Sequence, residues 1–191
     1  MKRLFLIIPM KKKLAIIVWG ISLILGTVPN VMCQWQQTYG PYGGGATCLV
    51  VIDSNAPSPS VLAGGYIGQI FLSTNNGLDW ASINNGMPSA QITAIAVSGT
   101  TRFVSTTDNG VFISRTTDNY WRSANNGLTG SQVHAFAVSD PNASSALVFA
   151  CANGVFLSSD SGNSWVNRSS GLPSGEVLCL YINGSNPSSP V

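Results

Sequence analysis

Ser158-Ser159-Asp160-Ser161-Gly162-Asn163-Ser164-Trp165 is the stretch on which the fold turns. Reduced to its spacing it reads Ser-x-Asp-x-Gly-x-x-Trp, and two further copies keep the same frame. They are Ser73-x-Asn75-x-Gly77-x-x-Trp80 and Ser114-x-Thr116-x-Asp118-x-x-Trp121. The chemistry is that of a hairpin turn held by its own side chains. A short Asp or Asn accepts hydrogen bonds from turn amides. Gly supplies a backbone with φ > 0. The Ser hydroxyl closes the turn from the other strand. Trp packs a large apolar face and keeps one N–H for a partner. The middle copy departs most, with Thr116 for Asp and Asp118 for Gly, which predicts a distorted turn.

The text around each copy repeats as well. Ile70-Phe71-Leu72-Ser73, Val111-Phe112-Ile113-Ser114 and Val155-Phe156-Leu157-Ser158 lead into the three motifs. After each Trp comes a turn: Asn84-Asn85-Gly86, Asn125-Asn126-Gly127 and Ser169-Ser170-Gly171. Apolar stretches follow at 92–97, 133–138 and 177–182, and 46–52 is the same element after Trp35. The Trp series 35, 80, 121, 165 has spacings of 45, 41 and 44, a propeller-blade period. Each unit reads as four strands, in the second unit about Gln91–Ser98, Thr101–Thr107, Gly110–Ser114 and Tyr120–Ala124. A single such sheet cannot bury both faces; stacked neighbours can.

These motifs resemble the Asp-box, or bacterial neuraminidase repeat, of β-propellers, a group with sortilin-like and photosystem II assembly factor-like members. The resemblance covers nearly all of residues 34–191. It implies an all-β chain, a β-propeller of four-stranded antiparallel blades. Counting strands predicts an incomplete ring, about three full blades plus two single strands. The resemblance also implies that Ser73, Asn75, Gly77, Trp80, Ser114, Thr116, Asp118, Trp121, Ser158, Asp160, Gly162 and Trp165 are structural, on the outer part of each blade. If the indoles lie between blades, Trp80→Ala and Trp165→Ala should each cost about 3–5 kcal/mol. WD40 architecture is disfavoured because no Trp-Asp pair ends a unit.

Charge narrows the partners. Charged residues make up 8% of the chain, against roughly 25% in ordinary domains. Five of the nine bases lie in the first 13 residues. Beyond Cys33 four arginines face seven acids, a balance of −3. A nucleic-acid binder needs a basic patch to neutralise phosphates, so that class is excluded. Residues 1–33 read as a secretory signal peptide: Lys11-Lys12-Lys13, an apolar run from Leu14 to Leu25, then a polar turn region. The run is short for a membrane span, which needs roughly 20 apolar residues. Cleavage after Cys33 is expected, with lipidation of Cys33 the alternative; Met10 is a second candidate start. The body is then exported, secreted or periplasmic, with no membrane insertion after signal removal. Cys48, Cys151 and Cys179 are an odd, sparse set and not a disulfide framework.

Catalysis is not indicated. A sialidase resembling its family would carry an early Arg-Ile-Pro motif, three converging arginines and a Tyr–Glu pair; no Arg-Ile-Pro occurs, and Glu176 is the sole Glu. An ordinary glycosidase needs two carboxylates roughly 5–9.5 Å apart. Asp118 and Asp160 belong to the repeated turns, and Asp79 adjoins a third. Asp53 and Asp140 sit in turn-forming loops after first strands, leaving Asp108 as the carboxylate expected on the ligand face. No cofactor or metal site is predicted, since one His and scattered Cys lack ligand spacing. The candidate binding face holds Asp108, Asn109 and His134, with loops Met87–Ala90, Leu128–Ser131 and Leu172–Gly175. His134 aligns with Thr93 and Leu178 on the innermost strand and is more readily a wall residue than a base. The expected role is a non-catalytic scaffold or binding module for a protein or carbohydrate partner. The chain is expected to be an N-terminal fragment of a larger secreted protein, and the alternative is a glycoside hydrolase, sialidase-like or xyloglucanase-like, whose catalytic residues lie mostly in the missing part.

Overall fold

The computed structural model describes residues 40, 45–52, 56–118, 120–130, 132–140 and 146–182. The expected signal peptide (1–33) and the strand at Trp35 lie outside the described residues, as does Asp53. The first blade is β1 (Ala46–Ile52), β2 (Ser60–Gly65), β3 (Ile70–Ser73) and β4 (Ala81–Ser82). The second is β5 (Ile92–Ser98), β6 (Thr101–Thr106), β7 (Gly110–Arg115) and β8 (Arg122–Ser123). The third is β9 (Ala135–Val138), β10 (Val148–Ala152), β11 (Gly154–Ser158) and β12 (Val166–Asn167). Each sheet is four-stranded and antiparallel, with strands in chain order. No helix occurs among the described residues.

Successive sheets pack face to face with their first strands as neighbours, β1 beside β5 and β5 beside β9. Hydroxyls at the start of these strands tie one blade to the next. Thr47 Oγ1 donates to the Ile92 carbonyl at 2.7 Å, and Thr93 Oγ1 to the Val133 carbonyl at 2.8 Å. The chain is therefore a β-propeller in which the described residues build three consecutive blades.

Two apolar layers hold the blades together. Leu62, Ile70, Ile92, Val97, Val104, Phe112 and Trp121 fill the layer between the first and second. Ala96, Phe103, Val111, Ile113, Val133, Val148, Ala150, Phe156 and Trp165 fill the layer between the second and third. The middle blade thus buries both faces. Along β6, Phe103 points to one layer and Val104 to the other, and every residue of that strand is buried. That is why apolar/polar alternation is weak in its sequence. In β1, by contrast, Leu49 and Val51 are exposed on the outer face of the first blade.

Two expectations are corrected. The fourth strands are two residues long, Arg122–Ser123 where Tyr120–Ala124 was expected. The cause is that Trp121 leaves its own sheet: its backbone N–H donates to the Asn85 carbonyl of the preceding blade at 2.8 Å. Trp165 does the same to Asn126 at 2.9 Å. The segment 177–182 is also not a strand. Its Val177 N–H reaches the Ala152 carbonyl at 2.9 Å, where a next first strand would begin, but no described strand pairs with it.

Candidate functional site

Antiparallel connection sorts the loops to two ends of the sheets. Ile92 pairs with Thr106, so the start of β5 and the β6–β7 turn share one end. Asp108 and Asn109 form that turn, and His134 precedes β9 at the same end of the next blade. The loops at 84–90 and 125–130 also emerge there, between each fourth strand and the next first strand. The three Ser-x-Asp-x-Gly-x-x-Trp turns lie at the opposite end, between third and fourth strands. The turn positions of the motif thus lie at the opposite ends of the strands from Asp108, Asn109 and His134, while Trp121 and Trp165 reach the Asn85 and Asn126 carbonyls of the near-end loops.

The turns are closed by their own side chains. In the third blade Ser158 Oγ accepts the Gly162 N–H at 2.8 Å and donates to Asp160 Oδ1 at 2.8 Å. Asp160 Oδ1 also accepts the Ser164 N–H at 2.9 Å, and Oδ2 accepts the Ser164 hydroxyl at 2.6 Å. The first blade repeats this with an amide. Ser73 Oγ accepts the Gly77 N–H at 2.8 Å, and Asn75 Oδ1 accepts the Asp79 N–H at 2.9 Å. Both turns place two successive residues at positive φ, Asn76 and Gly77 at 61° and 81°, Ser161 and Gly162 at 58° and 83°. The middle copy is built differently. Among the described residues Ser114 Oγ donates to the Arg115 carbonyl at 3.4 Å, while Asp118 Oδ1 accepts the Arg115 N–H at 3.0 Å. Thr116 and Asp118 are exposed, and Asp118 lies 3.6 Å from Arg122.

Burial opposes ionisation of Asp160, but hydrogen bonds from Ser164, Ser158 and Asn163 outweigh it and hold the carboxyl below its ordinary 3.8. A carboxyl depressed on folding stabilises the fold above its unfolded pKa and loses that contribution as pH falls through the folded value. Asp160→Asn should therefore flatten the loss of stability below pH 3.8. Asn75 shows that an amide closes the same turn. Urea midpoints of both proteins at about pH 5 and about pH 2.5 check this; parallel losses would contradict it.

Of the described tryptophans, Trp121 and Trp165 each reach back one blade. Trp121 Nε1 donates to the Ile83 carbonyl at 2.6 Å, and Trp165 Nε1 to the Ala124 carbonyl at 2.9 Å. Their side chains are 1% and 3% exposed. Trp165 meets Phe103 edge-on at 6.4 Å between centroids and Phe136 at 6.4 Å. Trp80 differs: it is half-buried, and its indole N–H donates to Gly77 of its own turn at 3.0 Å. It is not buried between blades as expected, because no blade precedes it among the described residues.

The Asn-Asn-Gly turns are connectors, a role the sequence reading missed. The first Asn caps the third strand of its own blade: Asn125 Oδ1 accepts the Val111 N–H at 2.7 Å, and Ser169 Oγ the Val155 N–H at 3.0 Å. The second residue offers its carbonyl to the next Trp, as described above. The glycine lets that Trp come close. A Cβ on Gly127, at φ 86°, would stand 2.1 Å from the Trp165 carbonyl oxygen.

At the same end, Asp108 is exposed and accepts the Thr107 hydroxyl at 3.0 Å. Asn109 donates its N–H to Thr106 Oγ1 at 3.0 Å, and its carbonyl accepts from Asn125 Nδ2 at 3.1 Å. His134 is half-buried, in the place held by Thr47 and Thr93 in the other blades, and its Nε2 lies 3.9 Å from Glu176 Oε2. His134 is thus a link toward the following segment, set one blade away from Asp108. Cys151 is buried and Cys179 exposed; burial pushes the Cys48 and Cys151 thiols above their ordinary value. Among the described residues no group of three or more His, Cys, Asp or Glu could hold a metal ion.

No family model matches the chain, and no curated protein matches it. Among solved structures it is similar to the crystal structure of a GH74 enzyme of Niastella koreensis, at 20% identity and a TM-score of 0.48. That likeness covers 64% of this chain and 22% of the other.

Proposed function

We propose that the chain is an exported, non-catalytic Asp-box propeller module that binds a protein or carbohydrate partner. The contact surface is the end of the blades carrying Asp108, Asn109, His134 and the loops at 87–90, 128–130 and 172–175. The observation that supports this reading is the use made of the carboxylates. The carboxylates of Asp79, Asp118 and Asp160 serve the turns at the far end. On the near end Asp108 accepts the hydroxyl of its neighbour Thr107, and Glu176, in the segment after β12, faces His134. Such a face offers polar groups for recognition, and a glycosidase needs two carboxylates set across one sugar bond.

The glycoside hydrolase is the competing reading, and one experiment separates the two. The full chain is incubated with a panel of oligosaccharides and polysaccharides, and both retention and release of reducing ends are followed. Retention without release supports the module. Release that disappears in Asp108→Asn overturns it in favour of the hydrolase. Exchanging the three loops should abolish capture and leave thermal melting intact; loss of both together would contradict the assigned surface.

A further inference from the structure

The loop at 84–90 joins the first blade to the second, and two exposed tyrosines belong to the segments that press on it. Gly64 pairs with Ile70 as Ser105 pairs with Val111, so the turn after β2 lies at the same end as Asp108. Tyr66 is in that turn, 58% exposed, with Ile67 beside it at 57%. The turn meets the loop closely: a Cβ on Gly68 would stand 2.1 Å from the Pro88 carbonyl oxygen. Tyr120 arrives from the second blade and is 51% exposed. Its ring lies against Gly86, where a Cβ would stand 3.0 Å from Cζ. Its neighbour Trp121 fixes the approach by donating its N–H to the Asn85 carbonyl at 2.8 Å. The fold asks for neither ring. The residues before the three motif tryptophans are Asp79, Tyr120 and Ser164. Those in the place of Tyr66 in the next two blades are Thr107 and Asn153. The two aromatics therefore mark one junction and are not part of the repeat.

The junction is also uncharged. Residues 65–69 and 83–91 contain no Asp, Glu, Lys or Arg. The charges next to Tyr120 in sequence, Asp118 and Arg122, answer each other at 3.6 Å. What the loop offers is an amide and a hydroxyl, on the exposed residues Asn85 and Ser89. A sugar ring has the matching chemistry. Its C–H face is attracted to the negative face of an aromatic ring, and its rim of hydroxyls pairs with amides and hydroxyls, which both donate and accept. A charged glycan or an acidic or basic peptide would find no counter-charge. We propose that the 84–90 loop, with Tyr66 and Tyr120, is a binding site for an uncharged polysaccharide. The proposal rests on the binding-module reading above and names its ligand class. Tyr66 and Tyr120 are the stacking platforms, and Asn85 and Ser89 hydrogen-bond the sugar hydroxyls.

The test is native electrophoresis of the full chain through gels containing hydroxyethyl cellulose, galactomannan or arabinoxylan, with polygalacturonate as the charged counterpart. Retardation against polymer concentration gives Kd. Retardation by at least one neutral polymer is expected, and none by polygalacturonate. Tyr66→Ala and Tyr120→Ala should each weaken it at least ~10-fold, one decade in Kd. Tyr66→Phe and Tyr120→Phe keep the ring and should keep the binding, which separates stacking from a loss of fold. Tyr181→Ala, at a tyrosine 88% exposed outside this junction, should change nothing. No retardation by any neutral polymer, stronger retardation by polygalacturonate, or alanine variants that bind like the parent would each overturn the site. In the last case exchange of the loops at 128–130 and 172–175 would still abolish capture if the module reading holds, so the two failures are distinct. Release of reducing ends with tyrosine-dependent retardation would support the site and overturn the non-catalytic reading.

Discussion

Trp165→Ala is expected to lower stability by about 3–5 kcal/mol, the range for emptying a large buried aromatic site. The residue is buried against Phe103 and Phe136 and belongs to the larger of the two apolar layers. Its removal opens a cavity that two sheets, each fixed by its own ladder, close poorly. It also leaves the buried Ala124 carbonyl without its donor, a loss of about 1–3 kcal/mol for an unsatisfied group. Trp121→Ala should behave alike, since its indole bridges to Ile83 in the same way. Trp80→Ala should cost less, about 1–2 kcal/mol, because a half-exposed side chain withdraws less apolar area from water. Urea unfolding of the three variants gives the order directly. Equal losses at all three positions would contradict the bridging role.

Gly127→Ala should be the next most damaging single change. The position has φ 86°, where a side chain costs about 1–2 kcal/mol. A Cβ there would also meet the Trp165 carbonyl oxygen at 2.1 Å. That atom belongs to the backbone of the next blade and cannot swing aside, so overpacking adds about 1–3 kcal/mol. Gly171→Ala is the internal control. It has the same φ and, among the described residues, no atom within 4 Å of the added Cβ, so the conformational cost remains. The difference between the two variants isolates the contact between blades. Identical midpoints would mean that the Asn-Asn-Gly turn does not carry that contact.

The fold was legible because its strongest signal is local and repeated. Ser158, Asp160, Gly162 and Trp165 bond within one turn, so eight consecutive residues state the geometry and the period states the rest. What could not be read is what depends on distant partners. Asn126-Gly127 looks like an ordinary turn in sequence; its carbonyl and its open side meet Trp165 some forty residues on, and spacing alone does not announce that. Trp80 and Trp165 share one motif, yet only one has a described blade behind it, so identical letters give different burial. The segment 177–182 has strand composition, but a strand also needs a neighbour to pair with. The proposed binding face was legible only as a set of loops. Asp108 and His134 belong to different blades, and a recognition surface carries no sequence period.

The central claim is that the blades are joined by tryptophans reaching backward, and indole N–H exchange tests it most directly. With nitrogen-15 in the tryptophan indoles, transfer into heavy water is followed by NMR. The account predicts that the Trp121 and Trp165 indole protons exchange only with global unfolding, while that of Trp80 exchanges much faster. Rapid exchange at Trp121 and Trp165, at the rate of Trp80, would contradict it.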